Sequence, residues 1–446
     1  MNKEFKKLLT EYIALKSIST DPAFDAEMRK TAEWLGEYLA EHGFKVSYLK
    51  GPRTNPVVYA EYMQSPELET VMVYGHYDVQ PANKSDGWSS EPFTLTEKKG
   101  RLIGRGVVDN KGQNLIHVFT VCDLIKQNSL KYNVKFMIEG NEETANPDME
   151  AMVKKYKKLF KSDAIIISDG EIQGTTPTIE ASLRGGFNMT VTLTTGKNNL
   201  HSGLAGGVAP SASHELSRLI AKFYGSDNKV AIPGFYEGVK KLTNEELSNT
   251  KKTGTVKEIM ELFGVKTSVA EKGMNPYAQI GLRPTIQISG IKSGYIAEGY
   301  ANIVPATAEA RINVRVVGGQ DPQKIYDAIV QFVKKEVPGY VKIDITRTDM
   351  NSAVAVDVTQ PRFVAVRKLL KTAYKKEPII KYVGGSIPIV SDFKETLGID
   401  TLLVSLGNDD CNMHGVDENF RIDLIEKGLA FSRSFFVSKN RKVYIK

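Results

Sequence analysis

The sequence has little of what a secreted or membrane-spanning protein needs. It contains two cysteines among 446 residues, Cys122 and Cys411, which is too few for a disulfide framework or a four-thiolate zinc site. No apolar run reaches the roughly 18 residues that a membrane helix requires. The N-terminal residues alternate charged and apolar side chains instead of forming a signal-peptide core. We therefore expect a soluble, cytoplasmic protein without a membrane partner.

The excess of positive charge is small and dispersed. The chain has 59 lysines and arginines against 52 aspartates and glutamates, which gives a formal net charge of +7. Proteins that bind nucleic acids usually concentrate such charge in one patch or carry a recognisable module. The densest basic runs here, residues 154–161 and 368–376, contain apolar residues at helical spacing, as in helices with a solvated face. We therefore do not expect a nucleic-acid partner.

Two kinds of hydrophobic patterning divide the chain. Helical patterns first alternate with short apolar strands, at residues 70–77, 134–138 and 164–167, which indicates a mostly parallel sheet flanked by helices. Residues 187–195 instead alternate apolar and polar side chains, as in a sheet with one solvated face. The first pattern resumes after residue 352, with a strand at 401–405. We predict an α/β fold in which residues 1–185 and 353–446 form the main domain and residues 186–352 form an inserted α+β domain.

Histidines and carboxylates are concentrated where predicted strands end, which is where open α/β sheets bind ligands. They lie in the motifs YGHYDVQP, GRGVVDNKGQ, EGNEET, ISDGE and NMHGVDENF: His76, Asp78, Asp109, Glu142, Glu143, Asp169 and His414. Imidazole and carboxylate ligands without thiolate suit zinc, manganese or cobalt, and the set is large enough for two ions. Taken singly, each motif also has an ordinary structural interpretation, such as a glutamate pair at a helix start.

Two pairs of nearby residues suggest distinct roles within this set. Residues two apart in a strand face the same side, so Asp78 can accept a hydrogen bond from the far nitrogen of a metal-bound His76. Adjacent Glu142 and Glu143 can divide the work, because one can bind metal while the other takes a proton from a water activated by the metal. The spacing alone leaves open which glutamate has which role.

Seven ordered motifs resemble those of the metallopeptidase superfamily that includes aminoacylase, glutamate carboxypeptidase and succinyl-diaminopimelate desuccinylase. They are YGHYDVQP, GRGVVDNKGQ, EGNEET, ISDG, LHSGLAGG, GGSIPIV and the segment around His414. The similarity extends from about Tyr12 to Phe435 and is greatest to the carnosinase-like, cytosolic non-specific dipeptidases. It implies a homodimeric hydrolase of small peptides with two divalent metal ions per subunit. Zinc is the expected metal, with manganese or cobalt as alternatives.

The resemblance implies a role for each residue of the main domain. The two metals would be bound by five ligands, with Asp109 bridging: His76, Asp109, Glu143, Asp169 and His414. Glu142 would be the general base, and Asp78 would orient His76.

The inserted domain would be a lid that also forms the dimer. Within it, His201 would cross to the partner subunit and donate a hydrogen bond to the oxyanion. The free carboxylate of the substrate would be held by Asn302, Arg315 and, from the main domain, Ser386. Arg315 could bind it with a bidentate fork.

The sequence departs from the dipeptidase branch at two places near the expected substrate. The segment MNSAVAVDV lacks a histidine that this branch often has, and Tyr382 and Val383 replace a small residue and a glutamate before GGSIP. An N-acyl amino acid amidohydrolase, either an aminoacylase or a desuccinylase, is therefore an alternative. A binding protein that kept the fold but lost catalysis is a more remote one, because no ligand or base is replaced. His42, His117 and His214 lie in predicted helices and are interpreted as structural or exposed.

Overall fold

The computed structural model describes residues 1–348, 350–385 and 387–438, and these divide into two units. The first unit contains Met1–Ala181, Val356–Ile380 and the described residues from Asp392 onward. The second contains Ser182–Ala355 and Lys381–Ser391. From the sequence, this last segment is predicted to belong to the main domain.

The first unit is built on a twisted sheet whose central strands are parallel. The strand order is Lys45–Leu49, Val57–Tyr62, Asn133–Glu139, Thr70–His76, Ala164–Ile167, Thr401–Ser405 and Thr178–Leu183. The strands from Asn133–Glu139 to Thr401–Ser405 in this order run parallel, and the pairings outside them are antiparallel. Every residue of Thr70–His76 is buried, as expected for a parallel strand covered on both faces. The predicted α/β fold is confirmed.

Helices flank this sheet: Lys3–Ala14, Asp25–Glu41, Lys111–Lys126, Met149–Lys155, Lys157–Phe160, Pro361–Tyr374 and Ile422–Val437. Lys111–Lys126 is buried along nearly its whole length because Lys3–Ala14, Ile422–Val437 and the strand Thr70–His76 all pack against it. None of the helices within the described ranges is long and apolar enough to cross a membrane.

Shorter elements shape the loops of the first unit. A small antiparallel sheet brings the chain near residue 105 next to the chain near residue 418; its strands are Thr96–Lys98, Arg101–Ile103 and Asn419–Arg421. The strand Ile379–Tyr382 pairs with Thr178–Leu183. Single helical turns are formed by Pro22–Phe24, Lys84–Asp86, Glu142–Thr144 and Phe393–Leu397, and a further one, Pro388–Asp392, lies almost entirely in the second unit.

The second unit has its own antiparallel sheet, in the order Thr285–Ser293, Thr307–Val316, Gly185–Thr194 and Lys342–Arg347. Buried and less buried residues alternate along Gly185–Thr194, as the sequence pattern predicted. Helices Ala212–Ala221 and Pro322–Glu336 pack on the apolar face. The remaining elements are Leu200–His201, Ser202–Ala205, Asn244–Thr253, Val256–Phe263, Pro276–Leu282, Ile303–Val304 and Val354–Ala355.

His117 is a buried histidine of the first unit. Its Nδ1 lies 3.1 Å from the Ser432 hydroxyl and its Nε2 lies 2.9 Å from the Ser168 hydroxyl. A hydroxyl can donate or accept, so the neutral imidazole is satisfied on both sides. Burial lowers the pKa of His117 to about 4, which keeps this side chain neutral.

We predict that His117 destabilises the folded protein as the pH falls from about 6.5 to about 4. In that window the unfolded chain protonates this residue and the folded chain does not, so stability is lost as the pH falls, by at most about 1.4 kcal/mol per pH unit. Urea unfolding in the presence of a chelator measures the effect. The free energy of unfolding of H117Q should depend less steeply on pH than that of the wild type. The exposed His214 gives the control H214Q, which should follow the wild type. Equal slopes for H117Q and wild type would contradict the prediction.

Candidate metal centre

The strand ends of the first unit bring three predicted ligands to one edge of the sheet. His76 is the last residue of the strand Thr70–His76, and Asp169 follows the neighbouring parallel strand Ala164–Ile167. Asp109 immediately precedes the turn into the helix Lys111–Lys126. Because the carboxyl ends of parallel strands meet at the same edge, residues distant in sequence become neighbours there.

His76, Asp109 and Asp169 form the first group of candidate ligands. The His76 imidazole is fully buried, and its Nε2 lies 3.1 Å from Asp109 Oδ1 and 3.6 Å from Asp169 Oδ2. One ligand atom from each of the three residues lies within 4.8 Å of the others. This spacing would suit a single divalent cation between them.

Asp109, Glu143 and His414 form the second group. His414 Nε2 lies 2.8 Å from Asp109 Oδ2 and 3.3 Å from Glu143 Oε2. The two groups therefore share Asp109, and each uses a different oxygen of its carboxylate. A carboxylate placed in this way can bridge two neighbouring cations.

The electrostatics of the pocket favour added positive charge. Hydrogen bonds to Asp109 and Glu143 raise the pKa of His414 to about 10. Burial raises the pKa of Asp169 above its ordinary value, although His76 opposes the shift. His76 and His414 therefore favour their protonated, cationic form, while Asp169 resists ionisation. Divalent cations between these groups would supply the missing charge, so the donor set fits a pair of metal ions in charge as well as in ligand type.

Asp78 connects His76 to the loop that carries the two glutamates. The Nδ1 atom of His76 lies 3.0 Å from the backbone carbonyl oxygen of Asp78 and 3.4 Å from its carboxylate. The Asp78 carboxylate also accepts the backbone N–H groups of Glu142, at 3.2 Å, and Glu143, at 3.1 Å. One buried carboxylate therefore touches the imidazole and fixes the backbone of both glutamates.

Glu142 and Glu143 have different surroundings although they are adjacent. Glu143 reaches His414 and accepts a hydrogen bond from Gln80 Nε2 at 2.7 Å. Glu142 is in neither ligand group, and burial raises its pKa to about 8. A carboxylate with raised proton affinity beside two ligand groups has the properties of a general base.

The predicted site residues of the second unit lie on different elements. His201 is exposed at the end of the strand Leu200–His201, which pairs with Ile303–Val304, and the backbone N–H of Ser202 donates to the carbonyl oxygen of Asn302 at 2.9 Å. Arg315 is half-buried on the strand Thr307–Val316. Ser386 lies outside the described residues.

Two residues that support the candidate site, Asn110 and Ser19, were not predicted from the sequence. Asn110 Nδ2 donates to Asp169 Oδ1 at 2.7 Å, and Asn110 Oδ1 accepts the backbone N–H of His76 at 3.3 Å. The Ser19 hydroxyl donates to Asp78 Oδ2 at 2.6 Å. The position of Asn110 directly after a candidate ligand was a usable signal, whereas nothing in the sequence connects Ser19 with Asp78.

Comparison with known proteins places the chain in a family. A family model described as peptidase family M20/M25/M40 matches residues 72–437. A Cys-Gly metallodipeptidase of Saccharomyces cerevisiae is 29% identical over 453 aligned positions, which cover 96% of this chain and 94% of that protein. A Beta-Ala-His dipeptidase of Homo sapiens is 28% identical over an alignment that covers 97% of this chain and 89% of that protein.

A solved structure of the same kind superposes over nearly the whole length. The M20 family metallo-carboxypeptidase Sso-CP2 of Sulfolobus solfataricus matches with a TM-score of 0.85 at 28% identity, covering 98% of this chain and 99% of that one. The family model spans most of the chain and includes both groups of candidate ligands, so the resemblance found in the motifs is confirmed. This chain belongs to peptidase family M20/M25/M40.

Proposed function

We propose that this protein is a metal-dependent dipeptidase that hydrolyses the amide bond of small peptides with a free carboxyl terminus. The observation that supports this most is that two ligand groups share Asp109, while Glu142 lies beside them in neither group. Hydrolysis by a metal-activated water uses a cation site together with a carboxylate left free for the proton, and the shared Asp109 provides for two cations. The Cys-Gly and Beta-Ala-His dipeptidases support the substrate class, because each matches nearly the whole chain.

We assign five residues to the two metals: His76, Asp109, Asp169, Glu143 and His414. Zinc is the expected ion, with manganese or cobalt as alternatives, since the ligands are imidazoles and carboxylates. When bound, the two ions would polarise the scissile carbonyl and lower the pKa of the attacking water.

Glu142 moves the proton in this proposal. It accepts a proton from the attacking water and returns it to the leaving amine. Burial raises the pKa of Glu142 in the metal-free site, which increases the affinity of this carboxylate for a proton. Asp78 holds Glu142 and Glu143 by their backbone N–H groups, so the base and a metal ligand keep a fixed relation.

Arg315, Asn302 and Ser386 would bind the free carboxylate of the substrate. Support for an anion near Arg315 comes from Arg184, since burial and the charge of Arg315 lower the Arg184 pKa to about 10. An anion bound beside Arg315 would offset the unfavourable effect of its charge on Arg184. In this proposal the second unit is the lid domain and the first unit is the catalytic domain.

We further propose a homodimer in which His201 serves the partner's active site. The chain beside His201 exposes large apolar side chains, with exposed fractions of 87% for Leu204 and 86% for Val208. Further exposed apolar side chains lie on the edge strand Thr285–Ser293, at Ile291, and in the residues after it, at Tyr295, Ile296 and Tyr300. Exposed apolar surface of this kind suits an interface with a second copy. The cytoplasmic location remains a prediction of the sequence.

The tautomer of His201 suits a hydrogen-bond donor. Its Nδ1 accepts the backbone N–H of Gly203 at 3.0 Å, so the proton of the neutral imidazole is on Nε2. An Nε2–H group on an exposed loop can donate to the oxyanion of a substrate.

Removal of divalent metal should abolish dipeptide hydrolysis, because the proposed water is activated by the ions. Dialysis against a chelator, followed by addition of zinc, manganese or cobalt, measures the loss and recovery of activity. Elemental analysis of the reconstituted protein should give two metal ions per chain. Full activity in a demonstrably metal-free sample would refute the mechanism.

A matched set of substrates controls for the substrate class. The reconstituted enzyme should cleave a dipeptide with a higher kcat/KM than its N-acetylated form or its C-terminal amide. Faster cleavage of N-acyl amino acids would instead support the aminoacylase or desuccinylase alternative.

Exchange of each glutamate for glutamine should separate the base from the ligand. We expect E142Q to keep both metals and to lose roughly 10² to 10⁴ in kcat, because a positioned general base contributes about that much. E143Q should weaken metal binding instead. Titration of metal into each variant, with parallel kinetics, measures both effects. Loss of a metal from E142Q but not from E143Q would reverse the assignment.

Mixing two inactive variants tests whether His201 acts across subunits. H201A should lose roughly 10² to 10³ in kcat with unchanged metal content, since an oxyanion donor contributes about 2.7 to 4 kcal/mol. Subunit exchange between H201A and E142Q should create heterodimers with one site in which both groups are intact. Activity should then rise well above that of either parent. Heterodimers without recovery would rule out the action of His201 across subunits.

A further inference from the structure

Arg105 and Glu418 form an ion pair that is buried in the first unit. Their charged groups are 2.8 Å apart, and their side chains are 3% and 0% exposed. Arg105 lies in the loop that leads to Asp109, and Glu418 follows His414 in the motif NMHGVDENF. Neither residue belongs to a ligand group. Burial of two charges is costly, so the pair needs further hydrogen bonds to be stable.

Glu418 supplies its hydrogen bonds to the loop that ends at Asp109. One carboxylate oxygen accepts the guanidinium of Arg105 and the backbone N–H of Gly106, at 2.8 and 2.9 Å. The other accepts the backbone N–H groups of Val108 and Asp109, at 2.9 and 3.1 Å. Charge-assisted bonds of this kind are strong, so the backbone of the bridging ligand is fixed by a single carboxylate.

Arg105 connects the same carboxylate to the loop of His414. Its second terminal nitrogen donates to the carbonyl oxygens of His414 and Gly415, at 3.1 and 3.2 Å. Its guanidinium also lies 5.3 Å from the centre of the Trp88 ring. The planar guanidinium can serve these partners together, which an ammonium could not do.

The conformation of the His414 loop requires such support. His414 has a φ of 60°, and Asn412 and Asp417 each have a φ of 56°. These are left-handed backbone conformations that residues other than glycine rarely adopt and that persist where the surroundings hold them. The bonds from Arg105 to two carbonyl oxygens hold this loop at the position where His414 faces Asp109.

We propose that Arg105 and Glu418 are positioning residues that fix His414 relative to Asp109 and so control the metal site of Asp109, Glu143 and His414. The proposal rests on the proposed metal sites but not on the substrate. Without Arg105, the carbonyl oxygens of His414 and Gly415 lose this donor, while Glu418 still holds the backbone of Asp109. The other ligand group has separate support from Asn110. Loss of Arg105 should therefore affect one metal site selectively.

Calorimetric titration of chelator-treated protein with Co²⁺ tests this without an activity assay. In R105M, one of the two affinities should fall about 10- to 100-fold, the usual effect of a residue that supports a metal ligand, and the other should not change. In E418Q both should fall, because Asp109 belongs to both groups. Millimolar guanidinium should restore the weakened site of R105A, and urea, which has a similar shape but no charge, should not.

A second, partly buried ion pair of the same residue types provides the control. Arg362 and Glu69 lie 3.3 Å apart in the first unit, with side chains 19% and 2% exposed, and neither is in a ligand group. E69Q should lower the thermal stability but leave both Co²⁺ affinities unchanged. If R105M loses both Co²⁺ affinities and E69Q loses them as well, the cause is general destabilisation, and the proposal is overturned.

Two further outcomes are decisive. Unchanged Co²⁺ affinities in folded R105M would overturn the proposal. If R105M does not fold, R105K replaces it, because lysine keeps the charge but lacks the planar guanidinium. A selective loss of affinity at one site is again expected for R105K. Two unchanged Co²⁺ affinities in R105K would refute the proposal. Binding of fewer than two Co²⁺ ions by the wild type would instead refute the proposed function, which separates the two failures.

Discussion

The crowding of carboxylates at the end of a buried sheet is the constraint on which the first unit depends. Five acidic residues are brought together there with two imidazoles: Asp78, Asp109, Glu142, Glu143 and Asp169. Water screens little there, so the repulsion between such groups is large. Hydrogen-bond donors from other segments offset this repulsion. Examples are the Asn110 amide, which donates to Asp169, and the Ser19 hydroxyl, which donates to Asp78.

This arrangement makes the loops around the site interdependent. Asp78 receives N–H groups from Glu142 and Glu143, and Glu418 receives them from Val108 and Asp109. Each of these carboxylates acts as an anchor for backbone and not as a ligand. The backbone of two candidate ligands, Glu143 and Asp109, is therefore fixed by hydrogen bonds to carboxylates outside the two ligand groups, and such support keeps the geometry of a site constant.

The sequence predicted the central strands and the ligand cluster for a physical reason. Strands such as Ala164–Ile167 and Thr401–Ser405 are short apolar runs, and the polar residues that follow them must meet at one edge of a parallel sheet. The helix Val256–Phe263 was recognisable from its spacing of apolar residues, whereas Asn244–Thr253 lies in a region without clear periodicity. Asn244–Thr253 nevertheless begins with a capping box, a Thr-x-x-Glu signal from which it could have been predicted.

Other features had no local signal. The strands Thr96–Lys98 and Arg101–Ile103 are too short and too polar to show a period. Arg105 and Glu418 are 313 residues apart, so only the folded chain reveals that they pair. The same holds for Ser19 and Asp78, because hydrogen bonds between distant side chains leave no pattern along the sequence.

The position of Thr401–Ser405 in the sheet has a consequence for biosynthesis. This late strand lies between Ala164–Ile167 and Thr178–Leu183, both of which leave the ribosome much earlier. Until it arrives, two early strands have unpaired edges, and such edges attract other chains. The second unit is nearly continuous in sequence and can complete its sheet first. The nascent chain thus carries an open sheet while the residues between Leu183 and Thr401, about half of the chain, are synthesised, and this is the period in which a chaperone would protect it most.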